Sequence, residues 1–223
     1  RDSVASRGLG DVYKRQAYAS PPLGSYSDER VIPERIAVKI PNGITHKIAA
    51  SIMTKGLTSH YLLFKTYKAK AGELILFHAA AGGVGLLACQ WSKAIGAKMI
   101  GTVSTKEKAV LAKNLGCDYV INYKEENVVE KLMDITNNKG VSVVYDGVGK
   151  DTFENSISSL QDRGLFVSFG QSSGMVNDVN LHKVFAPKNL FYTRPSLIVY
   201  NKKRGDLELS LIHISEPTRR YAI

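Results

Sequence analysis

The sequence predicts an α/β fold built on a doubly wound parallel sheet. Three observations carry that expectation. From Gly72 onward, short apolar runs alternate with stretches of helical periodicity. The runs recur at the spacing of consecutive βαβ units, whose crossovers are right-handed. A glycine-rich turn stands where the first apolar run meets the first helix of the series. The 223 residues are 44% hydrophobic and 22% charged, which is enough for a real core and too apolar for a disordered chain.

Each element has its own local reason. Ala17 to Asn42 is Pro-rich and loop-like, with short extended pieces at Arg30–Val31 and Ile36–Ile40. Ile44 to Lys70 reads as two helices broken at Gly56, with Ile48, Ile52 and Met53 on one face and Leu57, Tyr61 and Phe64 continuing it. Leu74–His78 is a buried strand. Val84–Gly96 is a helix with Leu87, Trp91 and Ile95 on one stripe and Gly96 as its stop. Lys98–Val103 is the second strand of this series. Ser104-Thr105-Lys106-Glu107 has the form of a capping box and opens a helix ending at Gly116. Tyr119–Asn122, Val141–Tyr145 and Leu165–Gly170 are further strands. Helices fill Asn127–Thr136 and, capped by Asp151, the stretch to about Leu160. Leu190–Tyr200 holds the last extended material.

The two ends read differently. Ser6–Gln16 and Leu209–Arg219 have eleven residues each, and one choice of codons for the first reads on the opposite strand as the second. This predicts that residues 1–16 and 209–223 derive from a sequencing-library adapter, leaving Ala17 to Glu208 as the natural stretch. Thirty Lys and Arg against twenty Asp and Glu give a net charge of +10. The ends hold six basic and three acidic residues, so the stretch between them keeps 24 against 17, or +7. Those charges are scattered, which fits a solvated surface and an anionic small ligand. Two cysteines, Cys89 and Cys117, cannot build a thiolate zinc lobe or a disulfide framework. No run is long enough to span a membrane, no export signal is visible, and the first methionine is Met53. A reducing, cytoplasmic setting is the expectation.

Chemistry concentrates in Phe77-His78-Ala79-Ala80-Ala81-Gly82-Gly83-Val84-Gly85. Against the dinucleotide fingerprint G-x-G-x-x-G this is Ala80-x-Gly82-x-x-Gly85, on a strand–turn–helix. That is the context of a Rossmann-type domain. Gly82 lets backbone approach a pyrophosphate, Gly85 lets the helix pack close to the strand, and the helix start favours anions. Ala80 in place of the first glycine asks for a different turn geometry. An NAD site places an acid at the end of the second strand. Here the chain continues Val103-Ser104-Thr105-Lys106-Glu107-Lys108. Ser104 and Lys108 suit a 2′-phosphate, and Glu107 reads as a helix cap. The alternative for Lys106 and Lys108 is a solvated helix face. Tyr123 can lie along the adenosine or stand as a surface tyrosine.

Six stretches together resemble the NADPH:quinone oxidoreductase (zeta-crystallin-like) family of the zinc-independent medium-chain dehydrogenase/reductases. They are Lys55–Thr58, Phe77–Trp91, Val120–Tyr123, Val143–Thr152, Arg163–Gly174 and Thr193–Leu197. The resemblance implies NADPH as cofactor. It places Gly83 and Val84 at the pyrophosphate, Ser104, Thr105 and Lys108 around the 2′-phosphate, Tyr123 beside the adenosine, and Tyr61 at the cofactor from the preceding helices. It sets Ser172, Ser173 and Gly174 along the nicotinamide half, and Pro195, Ser196 and Leu197 at the carboxamide. Gly147 stands where relatives often have Ser. Residues 17–43 then read as a remnant of a GroES-like catalytic domain and 44–208 as the NADP-binding domain, incomplete at its C-terminal end.

The resemblance implies reduction of a quinone by hydride transfer from NADPH, with a homodimer formed through the strand Leu190–Tyr200. The isolated stretch is expected to be poorly soluble, to bind NADPH weakly and to reduce little or nothing. No catalytic acid stands out. His78 reads as a satisfied core histidine, and His46, His60 and His182 have no metal-ligand spacing. An enone or enal reductase of the same superfamily is the alternative enzyme. A non-catalytic NADPH- or RNA-binding protein is the other class, but no RNA module matches, so nucleic acid is not an expected partner and neither is a membrane.

Overall fold

A computed structural model of the chain describes residues 16–18, 27–28, 30–203, 205 and 207. The adapter-assigned segments 1–16 and 209–223 lie outside the described residues, except for Gln16. The chain divides into two units, one holding the residues up to Tyr61 and from Leu197 onward, the other running from Leu62 to Ser196.

In the first unit, β1 (Gln16–Ala17) pairs antiparallel with β2 (Val38–Lys39), Ala17 opposite Val38. A 3-10 turn covers Glu34–Ile36. Helix α1 (His46–His60) starts at Thr45, whose hydroxyl accepts from the Ile48 N–H at 3.2 Å. Gly56 does not break it. A glycine costs a helix interior about 1 kcal/mol, and burial of Met53, Gly56 and Leu57 on the same helix outweighs that. The irregularity comes later, as a π-turn over Tyr61–Thr66.

The second unit is a six-stranded sheet. Its strands are β3 (Leu74–Phe77), β4 (Lys98–Val103), β5 (Tyr119–Asn122), β6 (Val141–Asp146), β7 (Leu160–Ser168) and β8 (Phe191–Thr193). All pair in parallel, in the order β5-β4-β3-β6-β7-β8. This is the doubly wound Rossmann arrangement, with its switch point between β3 and β6. Helices α2 (Gly83–Ile95), α3 (Lys106–Asn114), α4 (Val128–Thr136) and α5 (Phe153–Ser159) make the crossovers. Leu76, Ile100, Ile121, Val144 and Phe166 from five strands, with Leu132 from α4, form a fully shielded core.

Several boundaries differ from expectation. Helix α3 is capped by Thr105, not Ser104, and α5 begins after Thr152, not Asp151. Strand β7 starts at Leu160. It carries extra residues where the register jumps from Val141↔Leu160 to Val143↔Leu165, and Arg163 there takes φ +61°. A short helix α6 (Leu181–Phe185), capped by the Asn180 side chain, was not foreseen. The extended reading of Leu190–Tyr200 holds only for β8. Pro195 cannot donate to a ladder, and Leu197–Tyr200 is a helical turn, α7, in the first unit.

Candidate functional site

The carboxyl ends of β3, β4, β5 and β6 open on one cavity of about 540 Å³. His78, Ala79, Ala81 and Gly82 form one wall. Thr102, Val103, Ser104 and Lys108 form the next, with Tyr123, Glu126 and Asn127 beyond them. Val148, Asp151, Thr152 and Asn155 close it from the β6 side. A crevice at the switch point of an open parallel sheet is where such folds bind ligands.

The turn after β3 is held in a strained form. Ala79 sits at φ +55°, a left-handed conformation that costs an L-residue about 1–2 kcal/mol. Its N–H donates to the Thr102 hydroxyl at 3.3 Å, the Ala80 N–H to the Thr102 carbonyl at 3.0 Å, and the Gly82 N–H to the Ala79 carbonyl at 2.8 Å. Gly85 must lack a side chain, because a Cβ there would lie 2.5 Å from the Ala80 carbonyl oxygen and 2.6 Å from that of Ala79. The close approach of helix to strand is thus a fact of packing. No side chain caps α2 at Gly82.

At the far corner the Lys108 ammonium donates to the Ser104 hydroxyl at 3.1 Å. Thr105 is occupied with the helix start. Its hydroxyl accepts from the Lys108 N–H at 3.3 Å and donates to the Glu107 carboxylate, which is held below the usual range chiefly by that bond. Because Thr105 does the capping, the Ser104 hydroxyl is left to face the cavity with Lys108. Tyr123 lines the same corner, half exposed.

Beneath the cavity lies a buried polar network. The Asp146 carboxylate, fully shielded at the end of β6, accepts from the N–H groups of Val148 (2.8 Å) and Gly149 (2.9 Å) and from the hydroxyls of Thr152 (2.8 Å) and Ser156 (2.7 Å). His78 bridges Ser156 through Nε2 and Thr102 through Nδ1, both at 3.0 Å. Burial pushes the His78 pKa down, against the opposing pull of Asp146, so the ring is neutral.

Of the residues expected at a cofactor, the cavity brings together Gly82, Ser104, Lys108 and Tyr123. Gly83, Val84 and Gly85 open α2 behind Gly82. Ser172, Ser173 and Gly174 form a second loop that is pinned to residues 147–151. The Ser173 hydroxyl donates to the Val148 carbonyl at 2.9 Å and accepts from the Asp151 N–H at 3.0 Å, and Gly174 bridges Gly149. Pro195 and Ser196 follow β8. Tyr61 and Leu197 belong to the other unit, where the Tyr61 ring stacks on Tyr200 at 4.7 Å. At Gly147 the space that a side chain would fill is taken by the Phe169 ring, 2.8 Å from where a Cβ would stand. Sequence reasoning missed Thr102, Asp146, Thr152 and Ser156. For Thr102 and Asp146 the trace was a polar residue inside or at the end of an otherwise apolar strand; Thr152 and Ser156 stand at the start of α5 and within it, where a polar residue carries no signal.

Fold and cavity together define a Rossmann-type nucleotide domain. The model of the zinc-binding dehydrogenase family matches residues 83–203, and the chain belongs to that family. A quinone oxidoreductase of Pseudomonas aeruginosa is 52% identical over 189 residues, covering 85% of this chain and 58% of that protein. The crystal structure of Escherichia coli quinone oxidoreductase complexed with NADPH is 49% identical, with a TM-score of 0.91 over 96% of this chain and 65% of that one. A 2-haloacrylate reductase of a Burkholderia species is 40% identical over 200 residues, covering 88% of this chain and 60% of that protein. The chain spans 58–60% of the length of the first curated relatives it matches.

The family's description names zinc, and the residues here do not fit it. Among the described residues no group of three or more His, Cys, Asp or Glu could hold a metal ion. Cys89 and Cys117 are buried free thiols bonded to carbonyl oxygens and to Met99.

Proposed function

We propose that this chain is the NADPH-binding part of a quinone reductase, with residues 44–208 as the nucleotide domain and residues 17–43 as a remnant of a GroES-like catalytic domain. The observation that carries the cofactor choice is the Ser104–Lys108 pair on the cavity wall, with the nearby Glu107 carboxylate turned to Thr105. A hydroxyl and an ammonium suit a 2′-phosphate, which a carboxylate would repel. The uncapped start of α2 at Gly82, on the cavity wall, suits a pyrophosphate in the same cavity. The NADPH complex of the Escherichia coli relative supports the assignment.

When bound, NADPH supplies a hydride, and one proton completes the reduction of a quinone to the quinol. The chain's own residues hold and orient it. Ser104, Lys108 and Tyr123 take the adenosine end, Gly82 to Val84 the pyrophosphate, Ser172 to Gly174 and Pro195 to Leu197 the nicotinamide end. The parent protein acts in the cytoplasm, where thiols such as Cys89 and Cys117 stay reduced. It forms a homodimer through the edge strand β8, whose Phe191 and Tyr192 are exposed. Among the described residues no helix is long and apolar enough to cross a membrane.

A second reading is reduction of the C=C bond of an unsaturated carbonyl compound, favoured by the 40% identity to a 2-haloacrylate reductase. Titration of the chain with NADPH and with NADH, followed by fluorescence, tests the cofactor, and tighter binding of NADH overturns it. Turnover of quinones against 2-haloacrylates by the longer parent separates the two substrates.

A further inference from the structure

The mechanism so far leaves one group of buried polar residues without a task. His78, Thr102, Asp146 and Ser156 are each at most 2% exposed, yet they sit on four different elements: the turn after β3, then β4, β6 and α5. Their bonds have a single consistent direction. An ionised carboxylate only accepts, so the Ser156 hydroxyl donates to Asp146 Oδ2 at 2.7 Å. Ser156 Oγ is then left to accept from His78 Nε2–H at 3.0 Å. That fixes Nδ1 as the acceptor, and the Thr102 hydroxyl donates to it at 3.0 Å. Thr102 Oγ1 in turn accepts from the Ala79 N–H at 3.3 Å. The chain therefore ends on the one residue of the phosphate turn that is held at positive φ.

We propose that Asp146, Ser156, His78 and Thr102 form a positioning relay that sets the phosphate-binding turn at Ala79 from the opposite side of the switch point, with His78 in its Nε2–H tautomer as the central link. The inference rests on the cavity being a nucleotide site. Asp146 also anchors the other lip of that cavity through the Val148 and Gly149 N–H groups, so one buried carboxylate fixes the spacing of both lips. None of the four needs to touch the reacting atoms; Thr102 and Asp146 hold backbone at the two lips of the cavity, and His78 and Ser156 link them. A leucine at position 78 leaves Ser156 and Thr102 without their partner. A glutamine keeps one donor and one acceptor at similar reach.

Two probes separate positioning from simple loss of structure. NADPH spans both the turn and the Ser104–Lys108 corner, whereas 2′-AMP needs only the corner. Binding of both is measured by calorimetry for the full chain, H78L, H78Q and T102V, well below each melting temperature. H78L and T102V are expected to weaken NADPH roughly tenfold while 2′-AMP stays within about twofold, and H78Q to return NADPH to within about threefold of the parent chain. Nitrogen-15 correlation spectra are expected to show the Nε2–H tautomer of His78. Equal weakening of both ligands, unchanged NADPH affinity in H78L, or failure of H78Q to restore it overturns the relay. Binding of neither nucleotide by the unmodified chain would defeat the functional reading itself, and the relay with it.

Discussion

Lys108→Ala tests the cofactor choice most directly. The Lys108 ammonium is solvent-exposed and lies 3.1 Å from the Ser104 hydroxyl on the cavity wall, so its attraction to a phosphate is screened. Two unit charges about 4 Å apart in water attract by about 1 kcal/mol, and a 2′-phosphate carries nearly two negative charges at neutral pH. Part of that gain replaces hydration and the bond to Ser104, which leaves about 1–2 kcal/mol. The substitution should then weaken NADPH binding roughly 5- to 30-fold. NADH has no 2′-phosphate and should change by less than about twofold. Added salt should shrink the gap between parent and variant, because the charge is exposed. Ser104→Asp should go further and reverse the preference, by returning a carboxylate to the end of β4. The assay is a fluorescence titration of each variant with both dinucleotides at two salt concentrations. Equal losses for NADH and NADPH, or tighter binding of NADH by the unmodified chain, would refute the reasoning.

Three other outcomes follow from the geometry. Gly85→Ala places a methyl group 2.5 Å from the Ala80 carbonyl oxygen, and should cost about 2–3 kcal/mol, read as a lower midpoint in denaturant together with weaker NADPH binding; an unchanged midpoint would contradict the packing. Burial lowers the His78 pKa from 6.5, so the unfolded chain binds a proton there that the folded chain refuses. Its contribution is complete above the unfolded pKa and lost as pH falls below it, with a slope of up to about 1.4 kcal/mol per pH unit until the folded value is reached. The charged group that faces the ring is Asp146, through Ser156, so denaturation of the parent chain and H78Q from pH 7.5 to 5.5 should show that slope in the parent only. The hydrogen bond with the neighbouring Cys89 thiol, and after it burial, push the Cys117 thiol far up, so a chromogenic disulfide should leave Cys89 and Cys117, both buried, unmodified in the folded chain and react with both after unfolding.

The sheet was legible because its strands are shielded on both faces. Such strands read as unbroken apolar runs, and Lys98–Val103 and Tyr119–Asn122 coincide with the expected bounds to the residue. Boundaries that depend on competition between adjacent polar residues were not legible. Ser104 and Thr105 both suit an N-cap, and only the path of the chain out of β4 decides for Thr105. Gly56 looked like a stop, yet the neighbours it is buried among were invisible locally. The candidate site divides in the same way. Its glycine turn and the Ser104–Lys108 pair are contiguous in sequence and were found. The His78 network joins residues 24, 78 and 10 positions apart, and no local pattern announces it.

The departure of Ala80 from the glycine fingerprint illustrates how such a site tolerates change. Ala80 is fully buried, and its methyl group faces Gly101 on β4, where a Cβ would lie 2.5 Å from that methyl and 2.7 Å from the Cys117 sulfur. The demand for a residue without a side chain has therefore moved from the turn to the neighbouring strand. The turn pays for the exchange at Ala79, whose left-handed φ is held by the two bonds to Thr102 and by the Gly82 N–H. A strained turn of this kind keeps its shape only while its neighbours over-determine it. Thr102 bonds both Ala79 and Ala80, and it is also the last link to His78. Strain in the turn and polarity beneath it are thus two sides of one arrangement, in which a buried hydrogen-bond chain does the work that a more permissive glycine would do through backbone freedom.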